Sequence, residues 1–371
     1  MDSNRLIIAG FMSGTSMDGL DCCIAEINID ADWKFQYNII ASQSFAFNQN
    51  IKSKIKEYIG CTKLSEAREL DDFMGRVYLD LSKDFLLDYS LDAIAIHGQT
   101  VHHSDKIRSL QVGKPCYLAS FFNVPIIYNF RQKDILLNGN GAPLMPFLDW
   151  LLFKDKEYST MTVNLGGIAN ISFIPMQGVR GDVIGFDAGP GMALIDEYVL
   201  KIWKDDCDYN GKYSYDANVD ENMLSYLINN TDFILQPPPK STGREDFGVA
   251  FISEVVNKFN YLNKNDILRT LIKFTSVSLK LNIKNFINSK YNVDRLMISG
   301  GGAKHPILMN DIKKDLDIPT LNIIDYNMRY EIKESFLMAV LGYAKMKGIA
   351  SNMPSVTGAS GNIVLGDIYV A

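Results

Sequence analysis

The sequence predicts an α/β protein of two lobes, each a sheet covered by helices, on three observations. The chain has 371 residues, more than one hydrophobic core usually supports, so two units of roughly 150 to 200 residues are expected. Two stretches share a design of apolar strand, short polar Gly-rich turn and second apolar strand: Leu6–Ile27 and Ser159–Met176. Each is followed, after helical segments, by an Asp, a fully apolar strand and a Gly-containing turn: DAIAIHGQT (Asp92–Thr100) and DRLMISGGGAKHP (Asp294–Pro306). The order of parts repeats although the spacing does not.

The elements follow in order. LIIAGFMSGTSMDGLDCCIAEI opens the chain and reads as a hairpin, because small, hydroxyl and amide residues interrupt two apolar runs. Apolar residues at three- and four-residue intervals then predict a helix over Leu64–Tyr89, ahead of the strand in Asp92–Thr100. NFRQKDILLNGNGAPLMP (Asn129–Pro146) lacks a clean period and is dense in Gly and Asn, which predicts an irregular loop. The second hairpin follows, and GFDAGPG (Gly185–Gly191) ends a further strand and opens a helix over Gly191–Trp203. Extra sequence from Asp205 to Phe247 stretches the second half, and it includes PPPKSTGRED. Helices are predicted over Val249–Tyr261, Asp266–Ser289 and Glu331–Lys347, around the strand in Asp294–Pro306. Strands joined by crossover helices imply mixed or parallel sheets with helices on their faces. The expected division is 1–128 with 334–371 as the first lobe and 129–333 as the second.

Composition excludes several classes of function. With 47% hydrophobic and 22% charged residues the chain is neither disordered nor membrane-spanning. It has no apolar run of about 18 residues and no basic start leading into a signal-peptide core, so a cytosolic location is expected. A net charge of -6, with Lys and Arg scattered, argues against a nucleic acid partner. Five cysteines without a CxxC pair, and four histidines without HExxH spacing, give neither a disulfide framework nor a zinc site.

Chemistry concentrates in the turns. Met12, Ser13, Gly14, Thr15, Ser16, Met17, Asp18 and Gly19 offer backbone N–H groups, hydroxyls and one carboxylate between two apolar strands. That set suits phosphate oxygens, with Asp18 available to Mg²⁺ directly or through water. Asn164, Gly166 and Gly167 form the second such turn, and Gly300, Gly301 and Gly302 end a strand where backbone can approach a nucleoside. Two phosphate-cradling hairpins are how actin-like ATPases, built on the ribonuclease H-like unit, clamp ATP in the cleft between their lobes. No GxxxxGK[ST] loop offers the P-loop alternative. Asp187 has two readings: a general base near the nucleotide, or a cap on the helix after it. His97, Gln99 and Thr100 crowd the end of a buried strand, where polar substrates are read in α/β folds. Arg131 suits an anionic group of a substrate, and Lys240, Ser241, Thr242 and Arg244 lie in a polar loop able to cover a ligand.

Together these strings resemble the anhydro-N-acetylmuramic acid kinase family. GFMSGTSMDGLD, IAIHGQTVHH, NFR with GAPLMPFLD, VNLGGIANIS, FDAGPG, PPPKSTGRE, SGGGAKHP and MPSVTGAS with NIVLGDIY carry the resemblance, from Gly10 to Tyr369. It implies a homodimeric actin-like kinase using ATP, with Asp187 activating water against the sugar's 1,6-anhydro bridge. It places Met12 to Leu20, Gly166, Gly167 and Gly300 to Ala303 against nucleotide, and His97, Gln99, Arg131 and Glu334 at the sugar pocket. The chain departs from the family pattern at Asn129, at the NGNG of 138–141 and at Met192. The rival reading is another small-molecule kinase of this fold, acting on an ordinary sugar or carboxylic acid and needing no water.

Overall fold

The computed structural model describes residues 4–14, 17–243, 246–326 and 328–371, with Tyr330 described in its backbone only. The chain divides into two compact units, Met1–Leu152 with Ile324–Ala371, and Phe153–Ile323. The change-overs expected after 128 and after 333 therefore shift, and 129–152 and 324–333 pack with the first unit. Apolar burial explains the shift at the first boundary. The helix Met145–Phe153 packs Phe147 and Trp150 edge-on against Trp33, with centroids 6.4 and 5.1 Å apart. At the second boundary Lys333 is drawn into a buried ion pair with Asp149, 2.7 Å apart.

The strands before the first boundary are β1 (Leu6–Met12), β2 (Gly19–Ile29), β3 (Phe35–Ala46), β4 (Ala93–Ile96), β5 (Gln99–Ser104), β6 (Arg108–Val112) and β7 (Ile126–Tyr128). The second unit holds β8 (Thr160–Leu165), β9 (Ile168–Ile174), β10 (Ile184–Pro190) and β11 (Arg295–Ser299), and β12 (Asp367–Tyr369) returns to the first. One sheet runs β12-β7-β4-β1-β2-β3 and the other β10-β9-β8-β11. β1 is antiparallel to β2 and parallel to β4, as β8 is antiparallel to β9 and parallel to β11. Leaving β7 and β12 aside, each sheet thus places its strands third, second, first, fourth, which is the repeat anticipated from the hairpins. β5 and β6 form a separate ribbon between β4 and β7.

The two faces of the first sheet are packed differently. Phe11, Leu20, Cys22, Ile24, Ile94 and Ile96 meet Leu70, Met74 and Tyr78 of the helix Arg68–Leu86 in one apolar core. The opposite face takes the helix Lys333–Met346 at close range through small residues. A Cβ on Gly10 would lie 2.1 Å from the Ser335 carbonyl oxygen, and one on Gly342 2.6 Å from the Ala95 methyl. In the second unit Met161, Val163, Ile171, Phe186, Leu271 and Phe274 belong to a core of their own. There the helix Lys264–Asn282 passes into a π-turn, Ile283–Ile287, where a continuous helix to Ser289 was expected. Among the described residues no helix is long and apolar enough to cross a membrane.

Candidate active site

In the first unit the β1–β2 turn is braced from beneath. Ser13 is buried, and its hydroxyl shares a 2.7 Å hydrogen bond with the Tyr78 hydroxyl. The Gly14 carbonyl accepts from Met17 N at 3.1 Å and from Gln99 Nε2 at 3.1 Å. Met12 closes β1, Met17 sits at φ 58°, and Asp18 keeps an exposed side chain. Gly19 is explained by packing, since a Cβ there would meet the Phe45 carbonyl oxygen of β3 at 2.3 Å. Thr15 and Ser16, expected to contact phosphate, lie outside the described residues, as does Arg244.

Gln99 and Thr100 make hydrogen bonds within the protein. Gln99 is fully buried, so its amide supports the turn and does not line an open pocket. Thr100 Oγ1 accepts from Gln111 Nε2 at 3.3 Å across the β5–β6 ribbon. The left-handed Gly98, at φ 80°, redirects the chain after His97 and so separates these side chains from it.

His97 and Arg131 are brought together. His97 Nδ1 donates to the Gly98 carbonyl at 2.7 Å, which leaves Nε2 to accept from Arg131 Nε at 3.2 Å and Nη2 at 3.0 Å. Arg131 Nη1 donates to the Gly141 carbonyl at 2.9 Å. Burial, aided by the guanidinium, pushes His97 down to about 3, so its imidazole is neutral at physiological pH. Burial also pushes Arg131 down to about 10, which leaves it cationic. Three of its five N–H groups are thereby committed, and two can meet an anion.

Glu334, in the first turn of the helix Lys333–Met346, completes the group electrostatically. It is open to solvent yet hemmed in by protein, and lost hydration, reinforced by Asp21, raises its carboxyl above the usual range. Lys333 and Arg131 pull the other way. The buried Lys333–Asp149 pair fixes the start of this helix, and neither residue stood out in the sequence. Asn129 adopts φ 59°, which Asn tolerates, and donates to Asp367 Oδ2 at 2.7 Å.

His97 gives a pH prediction. Its folded value lies below the ordinary 6.5, so the stability linked to its neutral form is complete above about pH 6.5 and is lost as pH falls towards 3. Between pH 7 and 5 the wild type is expected to lose about 2 kcal/mol more than His97→Gln, at about 1.4 kcal/mol per pH unit. Urea unfolding at both pH values measures this, and equal losses would refute it.

In the second unit three glycine motifs converge. The Gly166 carbonyl accepts from Met192 N at 2.7 Å, and that of Gly167 from Gly191 N at 2.9 Å and Ala193 N at 3.0 Å. These bonds occupy the amides of Gly191, Met192 and Ala193, at and just ahead of the start of the helix Ala193–Trp203. A Cβ on Gly300 would meet Asn164 Oδ1 at 2.6 Å, and one on Gly302 would meet the Leu165 Cβ at 2.8 Å. Gly301 faces open space. Met192 packs its sulfur towards Gly302.

Asp187 lies inside β10, at a bulge between Asp187 and Gly189 against β9. Bulges re-aim side chains beside functional sites. The helix that follows is capped by Met192 without a side-chain bond, which removes the capping reading of Asp187. Its Oδ2 accepts from Thr242 N at 3.0 Å, and its own N–H donates to the Lys240 carbonyl at 3.3 Å. From the helix Lys264–Asn282, Thr275 Oγ1 donates to the Gly191 carbonyl at 3.1 Å and Asn282 Nδ2 to that of Ala188 at 2.8 Å. Ser241 is exposed, and Thr242 Oγ1 donates to Asp246 Oδ2 at 2.6 Å.

Two units with the same third-second-first-fourth strand order, each with polar Gly-bearing turns at its first hairpin, define a protein of the actin-like ATPase fold. Residues 6–371 match the anhydro-N-acetylmuramic acid kinase family, and the chain belongs to it. The anhydro-N-acetylmuramic acid kinase of Clostridioides difficile (strain 630) is 34% identical, over 97% of this chain and 97% of that protein. That of Francisella tularensis subsp. novicida (strain U112) is 33% identical over the same shares. Among solved structures, the activator of the 2-hydroxyisocaproyl-CoA dehydratase from Clostridium difficile with bound ADPNP is similar at a TM-score of 0.46 and 12% identity, covering 92% of this chain and 96% of that one.

Proposed function

We propose that this protein is an ATP-dependent kinase that converts 1,6-anhydro-N-acetylmuramic acid, ATP and water to N-acetylmuramic acid 6-phosphate and ADP, in the recycling of murein sugar. The observation that carries the reading is Asp187, held by a backbone N–H at a strand bulge in a chain whose family match runs from residue 6 to 371. Asp187 takes a proton from water as the water oxygen attacks the anomeric carbon, and the bond from that carbon to O6 breaks. The freed O6 then attacks the γ-phosphoryl group, and ADP leaves. Opening the bridge generates the nucleophile beside its electrophile, so proximity contributes much of the rate.

The remaining roles follow from charge. Backbone amides of the Met12–Gly19 turn and of Gly166 and Gly167 take phosphate oxygens, and Gly300, Gly301 and Gly302 lie along the nucleoside. Arg131 offers its two uncommitted N–H groups to the sugar's carboxylate, oriented by the neutral His97. Glu334 accepts from a sugar hydroxyl or amide. Asp18, whose side chain is exposed beside the β1–β2 turn, would be the residue to hold Mg²⁺, directly or through water. A Mg²⁺ ion bound there would neutralise charge on the phosphates. A cytosolic homodimer belongs to the same reading.

The test couples ADP release to 1,6-anhydro-N-acetylmuramic acid and, separately, to plain hexoses. Turnover is expected with the anhydro sugar alone. In ¹⁸O-water the label is expected at C1 of the product and not in its phosphate. Activity with hexoses only, or label in the phosphate, would replace this reading with a kinase acting on a free hydroxyl.

A further inference from the structure

We propose that Lys240 is a positioning residue for Asp187, pinning the backbone strap that grips this aspartate. The inference rests on Asp187 being the group that takes the proton from water.

Lysine among Pro, Ser and Thr is expected to be solvated, because ammonium groups are rarely buried. Here the side chain turns inward. Nζ donates to the carbonyls of Phe233 at 2.9 Å and Ile234 at 3.1 Å, in the 3-10 turn Asp232–Leu235. It also stands 4.8 Å from the ring centroid of Phe233, 5.1 Å from that of Phe286 and 5.7 Å from that of Phe186. Three elements therefore meet on one ammonium: the 3-10 turn, the π-turn and β10. π-Turns inside helices recur at functional sites, and this one supplies Phe286.

Packing alone does not call for a charge in that box. An unbranched apolar side chain would fill it without the desolvation cost of an ammonium. What offsets the cost is electrostatic: three ring faces, two carbonyl oxygens and the field of Asp187, which favours the protonated lysine. Burial still pushes Lys240 down to about 8.

The same residue reaches Asp187 through its backbone. The Lys240 carbonyl accepts from Asp187 N, and two residues on Thr242 N donates to Asp187 Oδ2. A strap of three residues thus holds the aspartate by its main chain and by its carboxylate, and the Lys240 side chain anchors one end. Displacing a catalytic group by about 1 Å can cost about 100-fold in rate. Lys240 is therefore expected to act on kcat and not on nucleotide affinity.

The experiment uses the full chain with Lys240→Met, Lys240→Cys and Asp187→Asn. Lys240→Met is expected to lower kcat about tenfold to 100-fold, with KM for ATP within about twofold and thermal unfolding no lower than wild type. Treating Lys240→Cys with 2-bromoethylamine restores an ammonium at nearly the original length, and kcat is expected to recover at least tenfold over the untreated variant. Wild type treated alike controls for the chain's own cysteines. If Lys240→Met turns over like wild type while Asp187→Asn is inactive, the positioning role is wrong and the base reading stands. An active Asp187→Asn sinks the base reading itself. A loss in Lys240→Met accompanied by a lower unfolding temperature and no recovery on aminoethylation would make Lys240 a packing residue and overturn the proposal.

Discussion

Asp187→Asn is expected to lower turnover by about 10³-fold while ATP still binds. The amide oxygen of Asn can accept from Thr242 N as Oδ2 does now at 3.0 Å, so the strap and the bulge persist. What is lost is basicity. General-base catalysis contributes about 10² to 10⁴ in rate. The amide also removes the negative field that supports the Lys240 ammonium, so Lys240 is expected to titrate lower than about 8 in the variant. Steady-state kinetics with an independent nucleotide-binding measurement checks both parts. Wild-type turnover would refute the base assignment, and loss of ATP binding together with turnover would show that the substitution had disturbed the fold.

Much of the fold was legible because its punctuation is local. Both hairpins announce themselves by polar Gly-bearing turns between apolar runs, and β4 and β11 by an Asp followed by a buried strand. β3 went unread for a physical reason. Its residues alternate between half-buried and exposed and none is fully buried, so FQYNIIASQSFA carries no apolar run. The β5–β6 ribbon likewise mixes His, Ser and Gln with few apolar residues. At the site, residue type singled out the turns, Asp187, His97 and Arg131 as candidates, but not which way side chains face. Ser13 and Gln99 look like ligand contacts in a string, yet the Ser13 hydroxyl is spent on Tyr78 and the Gln99 Nε2 on the Gly14 carbonyl. Lys240 and Lys333 look like solvated lysines, yet Lys240 turns onto the Phe233 and Ile234 carbonyls and the distant Phe286 ring, and Lys333 pairs with the distant Asp149. Asp187 looked like the start of a helix because a Gly-Pro-Gly turn follows it, whereas β10 continues through Pro190.

Gly300→Ala is expected to destabilise the second unit by about 3 to 5 kcal/mol, close to the largest effects a single substitution produces. Two independent costs combine. Gly300 has φ 86° and ψ 173°, a region that is essentially reserved for glycine and costs other residues about 1 to 3 kcal/mol. The new methyl would also lie 2.6 Å from Asn164 Oδ1 and 2.7 Å from both the carbonyl carbon and oxygen of Leu165. Backbone cannot rotate away as a side chain can, and β8 and β11 are parallel partners from Thr160 with Arg295 to Asn164 with Ser299. Relief must come from moving the β8–β9 turn, which is itself tied to Gly191, Met192 and Ala193 through the carbonyls of Gly166 and Gly167. Nucleotide binding is therefore expected to weaken along with stability, whereas Gly301→Ala, next in sequence but facing open space, is expected to unfold at the wild-type temperature. Calorimetric unfolding of the two variants, with and without ATP, makes the comparison. Equal unfolding temperatures for both would mean that the close approach of Gly300 to the turn is not what holds the three glycine motifs together.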